Sequence, residues 1–265
     1  MQELDFFAEH FWKPFEALGF SNSLLYLNAH TIIYTWCVLL ALLILGFTTQ
    51  YSLNHKPDSI LSFMILSSVR AFKELFLQNI AIFYNNHFYF IFSLFIFILT
   101  CNLIAIFPVI EEPTTDVNTT LALGIIAFMY VQISMIRAHG IKEYVKEYFA
   151  PFFLLFPLNV IGELAKIISL SFRLFGNIFG GSIISRLWVS AASSSILTEL
   201  LAIFSGINLI IVIFFVLFEG FIQAFVFTML TLTYLSVAIQ NEEDHIEEEE
   251  ELATLRQAQG EREKI

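Results

Sequence analysis

Long apolar segments are the feature that most constrains how this chain can fold. Residues 31–53 run for more than twenty positions without a charged side chain. At 1.5 Å per helical residue, such a run crosses a hydrocarbon layer of about 30 Å. Comparable segments follow at 88–110 and 121–136, and two longer ones occupy 152–188 and 196–239. The sequence therefore predicts an all-α polytopic membrane protein with about five membrane helices.

The composition excludes an ordinary soluble fold. Of the 265 residues, 57% are hydrophobic and only 14% are charged, whereas soluble domains have about 25% charged residues. The net charge of −11 is concentrated at the C-terminus, where ten acidic and three basic side chains fall within 241–265. Because no basic stripe is present, no nucleic-acid partner is expected. We predict an interfacial segment at 1–30, a membrane domain at 31–240 and an acidic cytoplasmic or matrix-side tail at 241–265.

The distribution of basic residues predicts the orientation. Segments 51–87 and 137–149 hold three Lys or Arg each, and 111–120 holds none. Loops rich in Lys and Arg face the cytoplasm, so the N-terminus is predicted outside and the acidic tail inside. Within the first of these loops, residues 59–83 carry scattered charges among apolar residues, which is typical of an interfacial helix.

The last two apolar segments are longer than a perpendicular crossing requires. At 37 and 44 residues, they would measure about 55 and 65 Å if fully helical. Each segment breaks near Pro157 or Gly176–Gly181, or both are strongly tilted, or both are ordinary helices with interfacial extensions. Length alone leaves these alternatives open.

Charged residues inside these segments are the strongest functional signal. Arg173 lies in the fourth segment, and an arginine at the bilayer centre costs about 2.5–3.5 kcal/mol unless water or a partner charge meets it. The fifth segment carries Glu219, with Gln223 one helical turn beyond it. A carboxylate in an apolar run favours its neutral form unless a cation or water is near. A protonatable group facing a fixed positive charge is what a proton path requires, although a purely structural ion pair is the alternative.

Three stretches of the sequence carry a resemblance to a known family. PTTDVNTTLAL (113–123), IGELAKIISLSFRLFGNIFGG (161–181) and IQAFVFTMLTLTYLS (222–236) resemble the signature stretches of subunit a of the F-type ATP synthase. The resemblance implies a proton-channel stator subunit that offers two half-channels to the ring of c subunits. It would couple proton flow to rotation and ATP synthesis without nucleotide chemistry of its own. It also implies c-ring and peripheral-stalk b subunits as partners within a lipid bilayer, with no cofactor and no metal.

The resemblance also implies roles for single residues. Arg173 would be the stator arginine that keeps the rotor carboxylate ionised, and Gln223 occupies the family's glutamine position opposite it. Glu163, ten residues before the arginine, would line a half-channel, and Asn177 belongs to the LFGN motif. The loop motif adds two positions near the outer surface, Asp116 and Asn118.

Two departures from the family pattern limit this transfer. Many members have titratable groups where this chain has Ser182 and Val216. Glu219 follows Val216 by three residues, close to one helical turn, so we predict that it takes over the proton-relay role. The family also implies that the last two segments form a long, strongly tilted hairpin.

The sequence supports two other functions less well, those of a secondary transporter and of a structural scaffold. A secondary transporter would show internal repeats, and no second copy of the Arg173 region is present. In a structural scaffold, Arg173 and Glu219 would merely pair and would tolerate joint replacement by apolar residues. The membrane is predicted to be a bacterial plasma membrane, with an organelle inner membrane as the alternative. The sequence leaves the choice between protons and sodium ions open.

Overall fold

The fold was analysed in a computed structural model, which describes residues 11–12, 27–55, 57–80, 84–106, 112–149, 153–192 and 206–239. The predicted acidic tail lies outside these residues, as does most of the N-terminal segment. Two short antiparallel strands, β1 (Phe11–Trp12) and β2 (Leu27–Asn28), pair at the start of the chain. The rest of the described chain is predominantly helical.

Among the residues that the structure describes, five long helices are apolar enough to cross a membrane, as predicted. They comprise His30–His55, Asn85–Ile106, Val117–Lys142, Phe156–Ser185 and Leu209–Ile239, which we call the first to fifth spans. The prediction of an all-α polytopic membrane protein is confirmed.

The first three spans are formed mainly by three helices, and the second span ends in a 3-10 turn at Ile104–Ile106. These helices are α1 (Ala29–His55), α3 (Asn85–Leu103) and α4 (Val117–Phe149). Between α1 and α3, α2 (Ile60–Asn79) forms within residues 59–83, where an interfacial helix was predicted, and it is not among the candidate spans. Within α4, Gly140 has a positive φ of 77°, a conformation that glycine adopts without steric cost. This residue therefore marks a kink just beyond the apolar part of α4.

The fourth span belongs to one continuous helix, α5 (Phe156–Ala192). Pro157 lies in its first turn, where a proline's missing N–H leaves no hydrogen bond unmade. The helix passes through Gly176–Gly181 without interruption, so a break at those glycines is excluded. Residue Pro157 begins the helix and does not divide it.

The fifth span changes its helical type along its length. It begins after Gly206, whose φ is 68°, with an α-helical turn at Ile207–Val212. A π-helical segment follows at Ile213–Glu219, and residues 220–239 are again α-helical. Such π segments are uncommon and occur frequently at functional sites.

The chain divides into two compact units, each built from three stretches of sequence. The first unit contains Met1–Ile65, Leu94–Thr120 and Phe172–Phe225. The second unit contains Leu66–Ser93, Leu121–Ser171 and Val226–Ile265.

The first unit has a small apolar core with a polar residue beside it. Val38, Cys101 and Ile104 form a buried cluster. Asn102 is also buried, and a Cβ added at Gly220 would lie 3.0 Å from its Cβ. The glycine therefore permits a close approach between α3 and the fifth span.

The second unit has an aromatic core, in which Phe72, Phe76 and Phe88 meet edge to face. Edge-to-face packing is a favoured geometry for aromatic pairs. A close helix contact occurs at Gly124, where an added Cβ would lie 2.1 Å from Ser171 Oγ and 3.3 Å from the Ile167 carbonyl oxygen. A residue with a Cβ would require Ser171 Oγ and the Ile167 backbone to shift.

Candidate functional site

Arg173 lies on an exposed face of α5, near the middle of the fourth span. One and two turns further along α5 are Gly176 and Gly180, and an added Cβ at either would meet no atom within 4 Å. A close helix contact occurs at Gly181, where a Cβ would lie 2.8 Å from the Phe215 ring. Among the described residues, no side chain or backbone covers the helix surface at Gly176 and Gly180.

Two of the predicted site residues are in direct contact. Asn177 follows Arg173 by one helical turn, and its Nδ2 donates a 2.6 Å hydrogen bond to Gln223 Oε1. Gln223 is only 2% exposed, and its Nε2 has no hydrogen-bond partner among the described residues. A buried amide hydrogen without a partner is costly, so the geometry favours an acceptor such as water at this position. The contact joins α5 to the fifth span one turn from the arginine.

Glu219 ends the π-helical segment and lies one turn before Gln223. The prediction that it shares a face with Val216 assumed α-helical spacing, which does not hold within a π segment. Val216 lines the cavity described below, whereas Glu219 is not among its lining residues. The relay role of Glu219 stays a prediction, without its original geometric argument.

Gly220, the residue after Glu219, is held by the buried side-chain amide of Asn102, which the sequence did not indicate. Asn102 Nδ2 donates a 2.9 Å hydrogen bond to the Gly220 carbonyl oxygen, and Asn102 Oδ1 accepts one of 3.1 Å from Thr114 Oγ1. Asn102 is 1% exposed and Thr114 is fully buried. This single side chain ties the loop before α4 to the fifth span.

The first unit contains a cavity of about 220 Å³ next to the Asn177–Gln223 contact. Ser182 and Val216, the two departures from the family pattern, both line it. Its polar lining consists of Glu112, Thr115, Asn177, Ser182 and Ser185. Glu112 could not be recognised from the sequence, because nothing in the local pattern shows that its loop reaches this cavity.

Glu163 lies in the second unit, at a larger cavity of about 600 Å³. Its carboxylate accepts hydrogen bonds from Gln132 Nε2 at 3.1 Å and from Lys166 Nζ at 2.6 Å. The Lys166 ammonium also lies 5.3 Å from the centroid of the Tyr234 ring, within cation–π range. The larger cavity is thus lined by the Glu163–Lys166 ion pair, and Gln132 donates a further hydrogen bond to its carboxylate. Sequence reasoning found Glu163 but did not predict the roles of Gln132 and Tyr234, which are distant in the chain.

The two residues of the loop motif have different environments. Asp116 Oδ1 accepts a 2.9 Å hydrogen bond from the Asn118 backbone N–H, which caps the start of α4. Asp116 Oδ2 accepts a second bond, of 3.2 Å, from Thr31 Oγ1 on α1. The Asn118 side chain is exposed. These contacts give Asp116 a structural role at the start of the third span.

Within the ranges that the structure describes, no three His, Cys, Asp or Glu side chains are grouped as metal ligands. The polar groups that converge are the amide pair at Asn177 and Gln223, the carboxylate and hydroxyls of the smaller cavity, and the Glu163 cluster. Their chemistry is that of hydrogen-bonding and proton-accepting groups inside apolar helices.

Comparison with known proteins identifies the family. The family described as ATP synthase A chain matches residues 32–236, which include all five spans apart from their ends. The chain belongs to this family. An ATP synthase subunit a from Syntrophobacter fumaroxidans is 32% identical over 240 residues, which cover 88% of this chain and 92% of the relative. One from Desulfosudis oleivorans is 33% identical over 242 residues, covering 87% and 96%.

A third member of the ATP synthase A chain family carries a more specific name. The protein from Propionigenium modestum is called ATP synthase subunit a, sodium ion specific. It is 31% identical over 229 residues, which cover 80% of this chain and 75% of the relative. Membership of this family and the five apolar helices make the chain a multi-pass membrane protein of ATP synthesis and ion transport.

Proposed function

We propose that this chain is the stator of a proton-driven F-type ATP synthase, and that it supplies two half-channels to a ring of c subunits. The observation that carries the proposal is the environment of Arg173: an exposed arginine in an apolar span, with uncovered glycines at Gly176 and Gly180 and with the Asn177–Gln223 amide pair one turn away. An arginine at such a position is stabilised when an ionised carboxylate or water comes to it.

The two cavities support the half-channel proposal. Each unit contains one, and each is lined by carboxylate, amide or hydroxyl groups from otherwise apolar helices. In the proposal, Glu163 belongs to one half-channel and Asn177 to the other. Moving one charge across 100 mV releases about 2.3 kcal/mol, and this energy drives rotation only if protons cannot pass directly between the half-channels. Arg173 provides that barrier by its permanent positive charge.

The proposed partners follow from the same chemistry. The open face beside Arg173 accepts the c-ring, whose carboxylates pass the guanidinium one at a time. The b subunits of a peripheral stalk hold the chain against rotation. The bacterial relatives favour a bacterial plasma membrane as its location.

The test of this proposal is Arg173→Ala in the assembled complex. We expect ATP-driven acidification of inverted membrane vesicles to be lost while ATP hydrolysis remains, because the fixed charge that ionises the rotor carboxylate is gone. Arg137→Ala, which removes an exposed arginine from α4, is the matched control and should pump normally. The assay is run in sodium-free buffer and again with added sodium ions.

Each outcome of this assay is informative. Undiminished pumping by Arg173→Ala would mean that the arginine is structural, as in the scaffold alternative, and would refute the stator role. Wild-type acidification that added sodium ions abolish would refute proton coupling and would assign this chain the ion named for its relative from Propionigenium modestum.

A further inference from the structure

We propose that Glu112 is the proton-relay carboxylate of the cavity in the first unit, an assignment that rests on the proposed function. Glu112 is the one acidic residue among the described residues that line this cavity. Ser182 and Val216 line it as well, and neither side chain exchanges a proton near neutral pH. Proton passage through this space therefore depends on the loop that carries Glu112.

The cavity has the size and polarity to hold water. Its volume of about 220 Å³ exceeds the share of liquid volume of one water molecule, about 30 Å³, several times. Hydroxyl groups of Thr115, Ser182 and Ser185 provide hydrogen-bonding partners along its wall. Apolar cavities stay dry, whereas a lining of this kind retains water.

The loop holds the backbone of Glu112 at the cavity by a series of hydrogen bonds. The Glu112 carbonyl oxygen accepts hydrogen bonds from the backbone N–H and the Oγ1 of Thr115. Its side chain makes no capping bond to the turn at Pro113–Thr115. Thr114, fully buried, is fastened to Asn102, which in turn binds the Gly220 carbonyl oxygen. The backbone at Glu112 is thus fixed relative to the fifth span.

The cavity also reaches a residue one helical turn from the arginine. Asn177 lines the cavity and also donates its hydrogen bond to Gln223. One turn earlier on the same helix is Arg173. A proton released from Glu112 into the cavity therefore arrives within one helical turn of the stator arginine.

The transfer is balanced without any further reactant. The Glu112 carboxylate accepts one proton from a hydronium ion in the cavity, which leaves a water molecule. The resulting neutral acid gives that proton to the next water or to a rotor carboxylate, and the Glu112 carboxylate is restored. During ATP hydrolysis the same steps run in reverse.

The first experiment is Glu112→Gln, which removes the titratable group and keeps the shape of the side chain. With equal amounts of assembled complex, we expect ATP-driven acidification of inverted vesicles to fall about tenfold or more, in line with the loss of a general acid–base group. Asp58→Asn makes the same change of charge at an exposed turn residue that lines neither cavity. This control should pump at the wild-type rate.

A second variant separates proton relay from a structural role of the loop. Ser182→Glu, introduced into Glu112→Gln, returns a carboxylate to the same cavity from α5. We expect the double variant to acidify faster than Glu112→Gln alone. Wild-type pumping by Glu112→Gln would overturn the inference. A loss that Ser182→Glu does not restore would also overturn it, because that result indicates a disturbed loop.

Failure of this inference can be told apart from failure of the proposed function. If Arg173→Ala abolishes pumping and Glu112→Gln does not, the stator role stands and only the relay assignment is wrong. If Arg173→Ala pumps normally, the proposed function itself is refuted.

Discussion

Asn102 shows how one buried side chain can organise a site without taking part in proton transfer. It bonds Gly220 on one side and Thr114 on the other, and both partners are buried. It thereby holds the backbone next to two carboxylates for which a proton-relay role is predicted or proposed, Glu219 and Glu112. Its role differs from theirs, because it acts by holding backbone segments in place.

Replacing Asn102 by Leu should destabilise the protein. The change leaves the Gly220 carbonyl and the Thr114 hydroxyl without this partner, and each buried unsatisfied group costs about 1–3 kcal/mol. Thermal unfolding in detergent should show a lower midpoint for Asn102→Leu. Asn118→Leu, at an exposed position, should change the midpoint little, and equal midpoints for the two variants would contradict the role of Asn102.

At the residue scale, the sequence predicted the charged and amide side chains that lie in apolar segments. It did not predict the residues whose role depends on partners far away in the chain. Arg173, Gln223 and Glu163 were found because charged or amide side chains stand out in apolar segments. Asn102 could not be found in this way, because its partner Gly220 is 118 positions away. Glu112 was missed for the same reason, since its cavity is formed by residues of α5 and the fifth span.

At the scale of helices, glycines decide where neighbours approach closely. Gly124 on α4 leaves room for Ser171 on α5, whereas Gly46 on α1 has nothing within 4 Å of an added Cβ. Both glycines lie inside helices, so their intrinsic helix propensities are the same. Their different surroundings make them a matched pair for testing helix packing.

Gly124→Ala should lower stability by about 1–3 kcal/mol, the usual cost of overpacking a tight contact. Gly46→Ala should be neutral or stabilising by up to about 1 kcal/mol, since alanine is the better helix former. Equilibrium unfolding in mixed micelles measures both. Adding Ser171→Ala should recover part of the loss at Gly124, and a double variant as unstable as Gly124→Ala would contradict the contact with Ser171 Oγ.

The number and type of helices were predictable, but their internal irregularities were not. Apolar length predicted all five spans, because burial in lipid requires an unbroken run of apolar residues, and charges scattered among apolar residues predicted α2. The π-helical segment Ile213–Glu219 has no such signature, since its residues are as apolar as those of an α-helix. The continuous course of α5 through Gly176–Gly181 was one of several open alternatives, because glycine in a helix weakens it without forcing a break.

At the scale of the whole molecule, the orientation in the membrane remains a prediction with a direct test. The positive-inside rule puts the turn at Asp58 on the cytoplasmic side and the loop at 111–120 outside. In a variant without Cys37 and Cys101, single cysteines are introduced as Asp58→Cys and Asn118→Cys, both at exposed positions. A membrane-impermeant maleimide should label Asn118→Cys in intact cells and Asp58→Cys only in inverted vesicles. The opposite labelling would reverse the predicted topology.

The open space at Gly176 and Gly180 has a mechanical consequence for a machine that rotates. Two helices that interlock side chain into groove resist sliding, since each step must lift bulky groups over one another. On the helix that carries Arg173, Gly176 and Gly180 have no side chain and no described neighbour within 4 Å of an added Cβ. A helix of the rotor can therefore pass these two positions without steric interlocking. Within the proposed function, the resistance felt at each step then comes from charge and hydration at the guanidinium. In this proposal the electrostatic interaction at Arg173 sets the resistance to each rotation step, and the glycines keep steric resistance low.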